Sequence, residues 1–166
     1  SDVAALVDGK SYTIAAQVTN SIGNPANAEH TVNVDLSAPS MGISIDSLQN
    51  DTGLSATDFI TNDANIVVKG SLTAVLGGDE KAQISLDGGN TWIDLVVTGT
   101  TWTYADGRAL QDGTWNYQVR VIDKAGNVGA TDSQDVVLDT KVPEVATITV
   151  DNISRDTGLV GDDFIT

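Results

Sequence analysis

The chain has 166 residues, 23 acidic against 8 basic side chains, a formal net charge of −15 and no cysteine. That charge argues against nucleic acid or anionic membrane surfaces as partners. The absence of cysteine fits either the cytosol or an exported protein stabilised by something other than disulfides. Acids spread along the chain, with ample β-branched residues, set it apart from a disordered acidic segment, and no apolar run is long enough to insert in a bilayer.

Helical periodicity is nearly absent, and turn residues recur about every ten positions, which predicts an all-β sandwich. Near the N terminus, Tyr12, Ile14, Ala16 and Val18 alternate with polar or small residues as one strand. Met41 to Ile45 and Asn65 to Leu72 follow, then Ala82 to Leu86, which ends in the turn Asp87-Gly88-Gly89-Asn90. Thr91 to Val97 and Thr101 to Tyr104 are separated by a turn at Gly99. Trp115, Tyr117, Val119 and Val121 give the clearest alternation, and Gln134 to Asp139 closes the set. Seven strands in about 100 residues is the arithmetic of an immunoglobulin-like sandwich. Gly9-Lys10-Ser11-Tyr12 is similar to the corner tyrosine of such sandwiches, and Trp115 takes that register in the second copy. Trp92, Trp102 and Trp115 lie in strand alternation and are expected to pack in the core or at an edge.

The chain repeats itself. Ser44 to Thr61 (SIDSLQNDTGLSATDFIT) returns as Thr149 to Thr166 (TVDNISRDTGLVGDDFIT) at an offset of 105 residues. Asp8-Gly9 matches Asp112-Gly113, Asp35 matches Asp139 and Pro39 matches Pro143, all at 104, while Gly23-Asn24 matches Gly126-Asn127 at 103. The expected organisation is a tandem array: residues 1–37 form the C-terminal part of one repeat, 38–141 a complete repeat, and 142–166 the opening of the next.

No catalytic constellation is present. His30 is the one histidine, read as an exposed strand residue, and Gly77-Gly78 precedes Asp79-Glu80 rather than the lysine of a phosphate loop. No enzyme is expected. The aspartates are patterned, however. In a seven-strand sandwich, Asp79, Glu80 and Asp123 fall at the end where the chain enters (the leading end), beside Asp35 of the linker. Asp51, Asp58, Asp63, Asp106, Asp112 and Asp139 fall at the opposite, trailing end. Clustered oxygen ligands without His or Cys suit Ca²⁺, so Asp35, Asp51, Asp58, Asp79, Asp112, Asp123 and Asp139 are the candidate ligands. A Ca²⁺ bridging Asp35 to the Asp123 loop would lock a linker that proline already restrains. The competing reading is turn chemistry, since Asp before Gly is favoured in tight turns; it applies most strongly to Asp87, and less to Asp35 and Asp139, which no glycine follows.

The Asp-Thr-Gly-x4-Asp-Phe-Ile-Thr block, the LDGGNTW turn from Leu86 to Trp92, the VRVIDKAGNVG run from Val119 to Gly129 and the VLDTKVP linker resemble bacterial immunoglobulin-like repeats. Such repeats occur in giant adhesins exported by type I secretion, biofilm-associated and ice-binding adhesins among them. The resemblance implies a sandwich fold, a secreted or cell-surface location and Ca²⁺ at the domain junctions, with Asp35, Asp51, Asp123 and Asp139 matching acidic positions of the family. The first copy departs from that pattern, with Asn20 where Asp123 stands in the second. The expected role is that of structural extender repeats, partnered by neighbouring repeats of the same chain, with a host-cell or surface ligand held by other regions. The alternative is a binding module that itself meets a glycan or receptor through Trp92 or Trp102. An exposed aromatic patch would favour that alternative, and burial of the rings the extender.

Overall fold

The computed structural model describes residues 5–144, so the expected opening of a further repeat after Glu144 lies outside the described residues. Two bodies of strand follow one another. The first is a hairpin of β1 (Ser11–Thr19) and β2 (Pro25–Asn33), paired antiparallel from Ser11↔Asn33 to Thr19↔Pro25. The second is a sandwich built from β3 (Ile43–Leu48), β4 (Ile60–Thr61), β5 (Val67–Leu72), β6 (Glu80–Ser85), β7 (Ile93–Asp94), β8 (Val97–Thr98), β9 (Thr101–Ala105), β10 (Gly113–Asp123) and β11 (Val128–Leu138).

One sheet runs β4-β11-β10-β6-β7 and the other β3-β5-β9-β8. The core between them is the alternation visible in sequence. Ile43, Ile45 and Leu48 from β3, with Val68, Leu72 and Trp102, face Ala82, Ile84, Tyr117, Val119, Val121, Val136 and Leu138. Each fully buried aliphatic side chain contributes about 1.5–3 kcal/mol. Trp102 lies flat across β5, and it does so because residue 70 is glycine: a Cβ there would come within 2.1 Å of both the indole ring and the Ser44 carbonyl oxygen.

The strands differ from expectation in three ways. The predicted 91–97 strand is two short pieces. β7 pairs with β6 and β8 with β9, so the chain crosses from one sheet to the other, its passage fixed by the bond from the Leu95 N–H to the Ala82 carbonyl at 2.8 Å. The last strand begins at Val128 rather than Gln134, because the tight Asp123–Asn127 turn sends the chain straight back along β10. Finally, β4 is an extra two-residue strand, parallel to β11 through Val137↔Ile60 and Leu138↔Thr61. Its presence is the work of the repeated block.

The interdomain joint as candidate functional site

Asp51 to Thr61 closes on itself. Asp51 Oδ2 accepts the Phe59 N–H at 3.0 Å, holding Phe59 at a φ of 61°, where a non-glycine residue is strained. Thr52 and Thr61 share a hydroxyl bond of 2.9 Å, and Thr61, buried, also donates to the Asn50 carbonyl at 2.9 Å. Asp58 Oδ1 accepts the Ile60 N–H. These bonds deliver Ile60 and Thr61 to β11, where Val137 N–H reaches the Phe59 carbonyl and Asp139 N–H the Thr61 carbonyl. Asp51 and Asp58 thus serve their own loop, although Asp51 Oδ1 is buried with no protein partner.

Asp8 and Asp112, each followed by glycine, resemble turn residues in sequence, but both clamp a linker. Asp8 accepts the Leu36 N–H at 2.6 Å and the Ser37 hydroxyl at 2.5 Å. At the matching position Asp112 accepts the Thr140 N–H at 3.0 Å and the Thr140 hydroxyl at 2.8 Å, with Lys141 Nζ at 3.8 Å. These bonds hold both carboxyls below the usual range, the Ser37 hydroxyl leading at Asp8 and the Thr140 N–H at Asp112. Asp35 and Asp139 make the same local turn, accepting the Ser37 and Lys141 N–H groups, each at 3.1 Å.

The sandwich grips the same linker from the other side. Asn127 donates through Nδ2 to the Asp35 carbonyl at 3.0 Å and to the Ser37 carbonyl at 3.5 Å. Pro39 is buried against Gly129, where a Cβ would come within 2.4 Å of the Pro39 carbonyl oxygen. Asp123 aims the asparagine: Oδ1 accepts the Gly126 and Asn127 N–H groups and Oδ2 the Asn127 amide, all at 2.8 Å. Desolvation pushes the Asp123 carboxyl up, and these bonds, led by the Asn127 amide, bring it below its usual value.

Four acidic residues surround this joint. Asp35, Asp79, Glu80 and Asp123 line, with Ser37 to Ser40, a cavity of about 270 Å³. This is the leading-end grouping expected from sequence. Asp112 and Asp139 share a trailing-end cavity of about 360 Å³ with Lys141. Asp51 and Asp58 do not line it. Among the described residues, no three acidic or histidine side chains converge closely enough to form a ready cation cage. The donors at the leading joint are nonetheless all hard oxygens, the chemistry a Ca²⁺ ion selects.

Asp106 departs from expectation. It is placed by sequence in an open trailing loop, but its side chain is wholly inaccessible under Arg108, which reaches it at 2.7 Å, and it accepts the Tyr117 hydroxyl at 2.7 Å. Burial pushes the Asp106 carboxyl up, the bonds from Arg108 and Tyr117 more than offset this, and its net position is below the ordinary value. Burial, with Asp106 beside it, drives the Tyr117 hydroxyl well above the ordinary tyrosine range. The corner bond also appears in both copies by different chemistry. Tyr12 accepts the Val7 N–H at 2.9 Å, and the Trp115 indole donates to the Gln111 carbonyl at 3.0 Å. Trp102 is core, and Trp92 is half-buried, its ring 4.0 Å from the Arg120 guanidinium and its N–H given to the Gly89 carbonyl.

Two packed, largely antiparallel sheets in this order, with no helix among the described residues, define an immunoglobulin-like β-sandwich. The bacterial Ig-like domain family matches residues 38–140, and the chain belongs to that family. Such domains usually occur in extracellular or surface proteins. No curated protein matches the chain.

Proposed function

We propose that these residues are structural extender repeats of a large bacterial surface adhesin, exported by type I secretion, that hold a distal adhesive region away from the cell for attachment or biofilm formation. The supporting observation is the linker held on both sides, by bonds from Asp8 ahead of the hairpin and from Asn127 of the sandwich, and by the packing of Pro39 against Gly129. A spacer needs joints of fixed angle more than it needs a pocket. The fold is of a non-catalytic type, and the tryptophans are engaged in packing rather than displayed, which favours the spacer over a glycan- or receptor-binding module.

Calcium is part of this reading. Asp35, Asp79 and Asp123 would hold the ion at the leading joint, and Asp112 with Asp139 would offer carboxylates to the next. The ion would neutralise their mutual repulsion, and millimolar extracellular Ca²⁺ would then stabilise the assembled joint by mass action, without high affinity. The absence of native cysteine makes the test clean. Spin labels at Thr13→Cys and Thr103→Cys, both exposed strand sites, report the hairpin-to-sandwich distance. Its distribution should narrow on adding Ca²⁺, broaden with Asn127→Ala, and lose its calcium response with Asp35→Asn. Identical distributions in all conditions would reject the reading.

A further inference from the structure

Asp132 stands where the alternation of β11 calls for an apolar side chain. Its register partner on β10 is Val119, which is fully buried, and directly opposed residues share one face of a sheet. The aspartate is therefore turned toward the core face. A carboxylate in that place is costly unless its oxygens are occupied, and both are. Oδ1 accepts the Ser133 N–H at 2.9 Å, while Oδ2 crosses to the other sheet and accepts the Ile45 N–H of β3 at 2.8 Å. Among the described residues this is the one hydrogen bond that ties a strand of one sheet directly to a strand of the other. β3 is shaped to make it. Its register on β5 slips between Ile45 and Ser47, and a bulge of this kind bends a strand and re-aims its backbone.

The bond matters for what it joins. β3 is the first strand of the complete repeat and β11 the last. The two run the same way. Pro39, ahead of β3, packs on Gly129 near the start of β11, and Thr61, beyond β3, pairs with Leu138 at its end. A pull applied to both ends of the sandwich therefore drags β3 and β11 in opposite directions along their lengths, and the Ile45–Asp132 bond lies across the slip. Load passing from Pro39 to Ile45, through the carboxylate and on from Asp132 to Leu138 never reaches β5, β6, β9 or β10.

We propose that Asp132 is a latch that holds the entry strand on the exit strand, and that its release opens the sandwich from the entry end. An aspartate that only kept a neighbouring edge from pairing would need no partner on β3. The latch is a property of the sandwich alone, whether or not the joints bind calcium and whatever the array carries.

The experiment holds the full chain by its two ends in an optical trap with calcium chelated, and times the sandwich under a fixed pull. Its opening is recognised by the roughly 300 Å of chain it releases. Asp132→Ala should shorten the folded lifetime about tenfold, and should shorten it more than it speeds unfolding without load. Ile84→Val, which trims the core at β6 away from that route, should change the loaded and unloaded rates alike. Emission from buried Trp102 verifies that each variant is folded. The proposal is overturned if Asp132→Ala keeps the wild-type lifetime under load. It is equally overturned if that variant unfolds no faster under load than its unloaded rate predicts, the mark of a charge that adds only general stability.

Discussion

The β1–β2 hairpin and the β10–β11 pair carry the same local plan in two environments. Both are antiparallel, both turn through an Asx residue bonded to the backbone four positions on, and both fasten the start of the first strand to backbone just upstream. Asn20 accepts the Ile22 and Asn24 N–H groups as Asp123 accepts those of Gly126 and Asn127. The turn therefore needs a side-chain oxygen and not a charge. Among the described residues no second sheet faces the hairpin, and it has no counterpart of the buried Asp106–Arg108–Tyr117 group. Local hydrogen bonding is written into each copy, while the core is a property of the whole repeat.

The largest expected break in that comparison is Asp106→Ala. It strands Arg108 and the Tyr117 hydroxyl, and should cost the sandwich about 3 kcal/mol in urea unfolding, while hairpin amide exchange stays unchanged. Gly70→Ala forces the new Cβ into Trp102 and should cost about 2 kcal/mol, read as a lower midpoint with altered tryptophan emission. Thr61→Val removes the hydroxyl bonds that seat β4 and should cost about 1 kcal/mol, with amide exchange accelerating at Val137 and Asp139. The same comparison has an acid limb. Asp106 is held below its unfolded value near 3.8, so its contribution is present above that pH and lost as pH falls through the folded value. Acid unfolding of the sandwich should begin below about pH 3.8, and Asp106→Asn should flatten that limb. The smallest effect is expected from Asp123→Asn without calcium. It imitates Asn20, keeping the turn oxygen while giving up the acceptor for the Asn127 amide, and should cost about 0.5 kcal/mol.

Much of the sandwich was legible in sequence because alternation at Trp115–Val121 and the turn at Asp87–Asn90 are local signals. Asp87 shows why turn chemistry was a fair reading: bonds from Thr91 and Ser85 hold its carboxyl at about 2. The joint was legible in part. Asp35, Asp79 and Asp123 were placed at one end by topology alone, and they line one cavity. Asp8 and Asn127 were not singled out, since what each grips lies 28 and 92 residues away in the chain. Their recurrence as Asp112 and Asn24 was the one available sign. The split of the 91–97 strand was hidden for a related reason: Leu95 is directed by Ala82, and nothing in its immediate neighbours says so.

The parallel register of β4 on β11 has a mechanical meaning. In the extender role proposed above, tension would enter the sandwich near Pro39, ahead of β3, and leave beyond Leu138. At that exit, β4 and the last residues of β11 run side by side in the same direction. A pull beyond Leu138 would therefore slide β11 lengthwise against β4 and load the Phe59–Val137 and Thr61–Asp139 bonds together, instead of peeling them one at a time. The Asp51 to Thr61 block is what seats that shear-bearing contact, so under that proposal the sandwich carries its own grip against extension.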